Sequence, residues 1–173
     1  MVGMSEGKPA ANPLFLREED LRRGLEMLFF AQRALAADAE AALARHGLGR
    51  AHHRALYFIG RSPGLSVTEL LRILKVTKQT AGRVLADLTE AGLIEQRPAA
   101  RDRRRRELRL TEAGRALEKE LYDAQHARLL RAYRRAGAEA VAGFRRVAAG
   151  LLDEADRGLV ESPLPERDRD RDR

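Results

Sequence analysis

SVTELLRILKVTKQTAGRVLADLTEAG, residues 66–92, is the stretch whose reading decides the fold. It opens with a capping box, since Ser66 stands three residues before Glu69 and each side chain can satisfy the other's free backbone N–H. Leu70, Leu71, Ile73 and Leu74 then give the first helix an apolar face. A short turn at Lys75–Val76 leads to Thr77, an N-cap for a second helix that ends at Gly92. That helix turns Ala81, Val84, Leu85 and Leu88 inward and leaves Lys78, Gln79, Gly82, Arg83 and Ala86 outside. Two short helices joined by a tight turn, the second with small and polar outward residues, predict a helix-turn-helix.

The residues after this helix pair narrow the choice. LIEQR (93–97) and RELRL (106–110) predict two strands, with Leu108 and Leu110 on one face of the second. The loop between them is strongly basic. Residues 97–109 carry seven arginines against Asp102 and Glu107, a net of five positive charges, while the whole chain has a net charge of +7. The C-terminal ERDRDRDR balances its charges, so one hairpin holds most of the imbalance. Such a concentration points to a polyanionic partner. A helix-turn-helix followed by a basic β-hairpin predicts a winged helix, in which one helix meets base edges in the major groove and the hairpin reaches phosphates or the minor groove. Arginine suits the hairpin because its planar, weakly hydrated guanidinium can enter a narrow, electronegative groove.

Further out the chain reads as helix. Leu21, Leu25, Leu28, Leu35, Ala39 and Leu43 recur at helical spacing from Arg17 to His46, with Glu18, Glu19 and Asp20 opposing the positive end of the helix dipole and Gly47 as a stop. A helix of that length, about 45 Å at roughly 1.5 Å per residue, exceeds what a small domain covers by itself, so its stripe predicts packing against a second subunit. Residues 50–60 predict a shorter helix broken by RSPG, Thr111 caps another over 112–135, and a last one is expected at about 138–157. The expected organisation is a disordered segment at 1–16, an N-terminal dimerisation helix at 17–47, a DNA-binding lobe at 48–114, C-terminal dimerisation helices at 115–158 and a disordered charged tail at 159–173.

These residues resemble the MarR family of winged-helix transcription regulators. DRRRRELRLTEAG (102–114) is similar to the family's wing pattern, Asp-x-Arg and then apolar-x-Leu-Thr-x-x-Gly, with Asp102, Arg104, Leu108, Leu110, Thr111 and Gly114 at the matching places. Arg83 falls at the family's characteristic arginine in the second helix. MLFFAQR (27–33) and GRAHHR (49–54) are similar to a narrower LdtR/PetP-like branch. The resemblance implies an obligate homodimer joined through its terminal helices, with two winged helices on one pseudopalindromic double-stranded operator. It implies that Arg104 enters the minor groove and that Asp102 holds it there. It also implies control by a small-molecule effector, in a pocket that would lie near Phe30, His53 and Tyr57. His52 and His53 stand where family members often carry a Gln-aromatic pair, a departure from the family's pattern.

Several function classes fall away. With no cysteine there is no disulfide, thiolate zinc site or thiol-based peroxide sensing. No Gly-rich loop precedes a Lys-Ser/Thr pair and no His-Glu-x-x-His occurs, so no enzyme is expected and no cofactor is implied. No apolar run approaches the roughly 18 residues of a membrane span, and residues 1–13 lack a signal-peptide core, which predicts a cytoplasmic protein. His52 and His53 invite a metal or haem reading. Adjacent residues on a helix point about 100° apart and rarely share a metal, and His46 and His126 make no i,i+4 pair with them, so packing is the simpler role and no metal site is expected.

The sequence thus predicts a mainly α protein with a small β-hairpin wing: a winged helix-turn-helix with N- and C-terminal dimerisation helices. The function expected is a homodimeric, sequence-specific regulator, most simply a repressor, whose operator affinity an effector modulates. The recognition helix would use Thr77, Lys78, Gln79, Thr80, Gly82 and Arg83, and the wing Arg101, Asp102, Arg103, Arg104, Arg105 and Arg106. Leu21, Leu25, Leu28, Val141, Phe144 and Leu151 would form the dimer interface. A metal- or haem-responsive regulator and a non-specific architectural DNA binder are the alternatives.

Overall fold

Ser66, Thr77 and Thr111 each start a helix through a side-chain cap. Ser66 Oγ accepts the Glu69 N–H at 3.2 Å while the Glu69 carboxylate accepts the Ser66 N–H at 2.8 Å, completing the capping box. Thr77 Oγ1 accepts the Thr80 N–H at 3.2 Å, and Thr111 Oγ1 accepts the Gly114 N–H at 3.0 Å. Each such cap contributes about 1 kcal/mol.

The computed structural model describes residues 16–98 and 106–161. In chain order the elements are α1 (Glu18–Arg45), α2 (Arg50–Arg61), β1 (Leu65–Ser66), α3 (Val67–Leu74), α4 (Lys78–Glu90), β2 (Ile94–Pro98), β3 (Arg106–Leu110), α5 (Glu112–Ala136), α6 (Ala138–Gly150) and α7 (Glu154–Glu161). The mainly helical architecture with a small antiparallel hairpin agrees with the sequence. Among the described residues no helix is long and apolar enough to cross a membrane.

The chain divides into two units, the first ending at Leu35 within α1 and the second running from Ala36. The first exposes Leu21, Leu25, Met27, Leu28, Phe29 and Phe30. Its polar side chains pair locally, Arg22 with Glu18 at 2.9 Å and Arg23 with Glu19 at 3.4 Å, and the Arg33 guanidinium lies 4.8 Å from the centroid of the Phe30 ring.

The second unit carries the core. Leu43, Leu56, Ile59, Leu70, Leu88, Leu108 and Leu121 are fully buried, drawing α1, α2, α3, α4, β3 and α5 onto one apolar centre. The stripe read along α1 is therefore divided, with Ala39 and Leu43 buried in this core and Leu21, Leu25 and Leu28 exposed. Arg128 reaches across from α5 to Asp38 of α1, with Nε at 2.5 Å and Nη2 at 2.7 Å from the carboxylate oxygens, and Arg45 pairs with Glu120. The hydrogen bonds from Arg128 hold the Asp38 carboxyl below its usual range.

Three features differ from the sequence expectation. The sheet has three strands in the order β1-β3-β2, with Leu65 opposite Leu108 and Gln96 opposite Leu108 on the other side. β1 spans two residues, too few to show alternation, and it forms because Gly64, at φ +89°, lets the chain fold back after Pro63 and donate the Gly64 N–H to the Leu108 carbonyl at 3.2 Å. The helix expected at 138–157 is two helices, α6 and α7. The turn at Leu151–Asp153 ends the first, the Asp153 carbonyl accepts the Arg157 N–H at 2.9 Å to begin the second, and the Arg157 guanidinium donates to the Ala149 carbonyl at 3.2 Å. Finally, α7 runs through Glu161, into the stretch assigned to the tail from residue 159.

Candidate nucleic-acid interface

The tight turn between α3 and α4 depends on one backbone conformation. Lys75 closes α3 in the left-handed region at φ 50°, and among the described residues it is the one non-glycine with positive φ. Its N–H still bonds the Leu71 carbonyl at 3.0 Å, and the Arg54 guanidinium from α2 donates to the Leu74 carbonyl at 3.3 Å. The free end of α3 is thereby satisfied and α4 leaves at a fixed angle. The Lys75 ammonium lies 2.7 Å from Asp156 and 3.0 Å from Asp153, and the hydrogen bonds to Asp156 and then Asp153 hold its pKa above the usual lysine value.

α4 has two chemically distinct faces. Ala81, Val84, Leu85 and Leu88 are buried, as expected. Lys78, Gln79, Gly82, Arg83 and Ala86 are exposed. A Cβ on Gly82 would meet nothing within 4 Å, so packing within the chain gives no reason for glycine there. Among the described residues the side chains of Lys78, Gln79 and Arg83 make no hydrogen bond or ion pair, so their polar groups face outward uncommitted. Thr77 and Thr80 differ, because their hydroxyls meet at 2.9 Å and the Thr77 oxygen also caps the helix.

The wing rises beside α4. β2 and β3 pair in register from Ile94↔Leu110 to Pro98↔Arg106. Arg97 pairs with Glu95 at 2.9 Å and Arg109 with Glu107 at 3.1 Å, so two of the seven arginines are engaged by acids on their own strands. Arg106 is exposed at the start of β3. Arg101, Asp102, Arg103, Arg104 and Arg105 lie outside the described residues.

Thr111 and Gly114 anchor the wing to α5. The Thr111 hydroxyl donates to the Gly92 carbonyl at 2.7 Å while accepting from Gly114, and the Thr111 N–H donates to the Leu93 carbonyl at 3.1 Å. One threonine therefore ties the end of α4, the start of the wing and the first turn of α5 together.

The two histidines have separate surroundings. His52 Nδ1 accepts the Gly49 N–H at 3.1 Å, so Nε2 carries the hydrogen that it donates to Asp87 Oδ2 at 3.0 Å. This ties the start of α2 to α4, a link that the sequence reading misses; the signal present in the sequence is for the cap alone, since His52 stands three residues after Gly49, where a side chain can reach back to the cap N–H. His53 is half-buried, and burial lowers its pKa. Tyr57 packs edge-on against Phe58, with ring centroids 5.3 Å apart. Among the described residues no group of three or more His, Asp or Glu side chains is arranged to hold a metal ion.

GRSPG (60–64) has the Gly-x-Ser-x-Gly spelling of a nucleophile elbow, a signal that on its own would favour an enzyme. The elbow requires a strand entering and a helix leaving. Here α2 enters and the two-residue β1 leaves, so the motif carries no such chemistry.

Residues 46–105 match the family model described as MarR family. The chain is 53% identical over 144 residues to the HTH-type transcriptional regulator PetP of Rhodobacter capsulatus, covering 83% of this chain and 87% of that one. Among solved structures it is similar to a Mycobacterium tuberculosis MarR family protein in complex with p-aminosalicylic acid, with 30% identity, a TM-score of 0.52 and coverage of 73% and 95%. It is also similar in fold to Streptococcus pneumoniae FabT in complex with DNA, with 22% identity, a TM-score of 0.62 and coverage of 76% and 94%.

Proposed function

The chain belongs to the MarR family of DNA-binding transcription regulators, not to a family of enzymes, and from that premise we propose that it is a homodimeric, effector-responsive repressor acting in the cytoplasm on a pseudopalindromic double-stranded operator. The observation that carries this reading is α4 itself. Its apolar face is sealed into the core, and Lys78, Gln79 and Arg83 project from the other face around a glycine with open space above it. A helix presented in that way suits a major groove. Arg83 and Gln79 have the donor geometry to read guanine and adenine edges, and Gly82 permits close backbone approach. Arg101, Arg103, Arg105 and Arg106 would supply phosphate affinity, with Arg104 in the minor groove and Asp102 bracing it.

Two exposed apolar faces support the dimer, each taken by itself. On the first unit Leu21, Leu25 and Leu28 lie on one stripe of α1, and Leu25 is 56% exposed. On the second unit α6 buries none of its residues fully and leaves Phe144 49% exposed, with Leu151 exposed just beyond and Val141 half-buried. A second copy of the chain would cover both faces.

An effector that favours a dimer whose DNA-binding lobes are wrongly spaced would lower operator affinity by its differential affinity and no more. His53 and Tyr57, both on α2, are the proposed contacts. The complex of the mycobacterial relative with p-aminosalicylic acid makes small aromatic acids the first class to try.

The test is selection of bound fragments from random duplex DNA. The expected product is an inverted repeat whose half-sites lie about 10 bp apart, centre to centre. Recovery of no common sequence would favour a non-specific architectural binder and overturn the proposal.

A further inference from the structure

On the surface of α4, Asp87 stands one turn after Arg83, where side chains four residues apart are neighbours. It is the one acid within three or four residues of Arg83 on that helix. An aspartate so placed would pair with the guanidinium and occupy the donors that a bidentate contact to a base needs. It does not do so here: Asp87 Oδ2 accepts from His52 Nε2 at 3.0 Å, and Arg83 has no ion pair among the described residues. His52 is itself held in place, since its Nδ1 accepts the Gly49 N–H at the start of α2.

We propose that His52 is a positioning residue for DNA recognition: by engaging Asp87 it keeps that carboxylate from Arg83 and leaves the Arg83 guanidinium to the operator. The two hydrogen bonds of one imidazole thus connect the N-terminus of α2 to the readiness of α4 to read bases. Without His52, the Asp87 carboxylate would turn to Arg83 and also present an unshielded negative charge towards the phosphates. The proposal rests on the reading of α4 as the recognition helix, and its test separates the two.

The measurement is the affinity of full-length protein for its selected operator, together with the melting temperature of each variant. His52→Ala should weaken binding about fivefold, the scale of one solvent-exposed charge contact. His52→Ala combined with Asp87→Asn should return affinity to within about twofold of the wild type, because the competing charge is gone. The double variant should nevertheless keep the lower melting temperature of His52→Ala, since the Gly49 N–H remains uncapped. His52→Gln should bind like the wild type, its amide offering a carbonyl to Gly49 and an N–H to Asp87. A double variant that binds as weakly as His52→Ala overturns the proposal and makes the contact merely structural. If Arg83→Ala itself binds like the wild type, the recognition-helix reading fails, a different outcome from loss without rescue. Should His52→Ala not fold, imidazole nitrogen NMR on the wild-type protein decides instead. The Nε2–H tautomer, with a resonance displaced by Asp87→Asn, is expected, and an Nδ1–H tautomer overturns the proposal.

Discussion

Gly114 lies against the backbone of Leu93 so closely that a Cβ added to it would stand 1.9 Å from the Leu93 carbonyl oxygen. That oxygen also accepts the Thr111 N–H at 3.1 Å, so it cannot move aside without loosening the joint between wing and α5. Gly114→Ala should therefore destabilise the protein by about 2–3 kcal/mol, at the upper end for overpacking, because a backbone atom must give way. Thermal or urea unfolding checks this, and an alanine variant as stable as the wild type would show that the joint is slack.

Gly82→Ala should behave in the opposite sense. Its Cβ meets nothing within 4 Å, and alanine in a helix interior is favoured over glycine by about 1 kcal/mol. The variant should melt higher and bind the operator more weakly, because the added methyl group stands between α4 and the groove. Unchanged binding would remove the reason offered for glycine at this position.

Leu25→Glu and Phe144→Glu, made separately, should each yield monomers by sedimentation equilibrium. A two-fold interface carries every substitution twice, and each buried carboxylate left without a partner costs about 2–3 kcal/mol. Retention of the dimer by both variants would mean that a different surface joins the copies.

Acid should destabilise the fold through His53. Burial lowers its folded-state pKa from the ordinary 6.5, so the unfolded chain binds the proton more readily. The stability associated with a neutral His53 is fully present above 6.5 and is lost as pH falls from there through the lower folded value. His53→Gln should accordingly show a smaller loss of melting temperature between about pH 7.5 and about pH 5.5 than the wild type. Equal losses would assign the acid sensitivity to other groups.

The range of the forces involved decides which features are legible in the sequence. The caps at Ser66, Thr77 and Thr111 are local, acting over three residues, and all three stand where the spacing puts them. The inward face of α4 comes from helical periodicity alone. β1 was not legible, because its pairing of Leu65 with Leu108 joins residues far apart in the chain. The division of α1 was equally hidden. Nothing in the repeat of Leu21, Leu25, Leu28, Ala39 and Leu43 marks where the chain's own core stops covering it. His52 and Asp87 stand 35 residues apart, so their contact appears only once α2 and α4 are packed. The charge of the wing was plain in the composition, whereas the engagement of Arg97 by Glu95 and of Arg109 by Glu107 follows from the extended backbone, which puts residues two apart on one face of a strand.

The most direct test of the central claim compares binding to the selected operator with binding to a scrambled duplex across a salt series. A dimer making on the order of eight phosphate contacts should give a slope of log affinity against log salt near −7. It should also prefer its operator by at least about a thousandfold at physiological salt. A slope near zero, or equal affinity for both duplexes, would contradict the account.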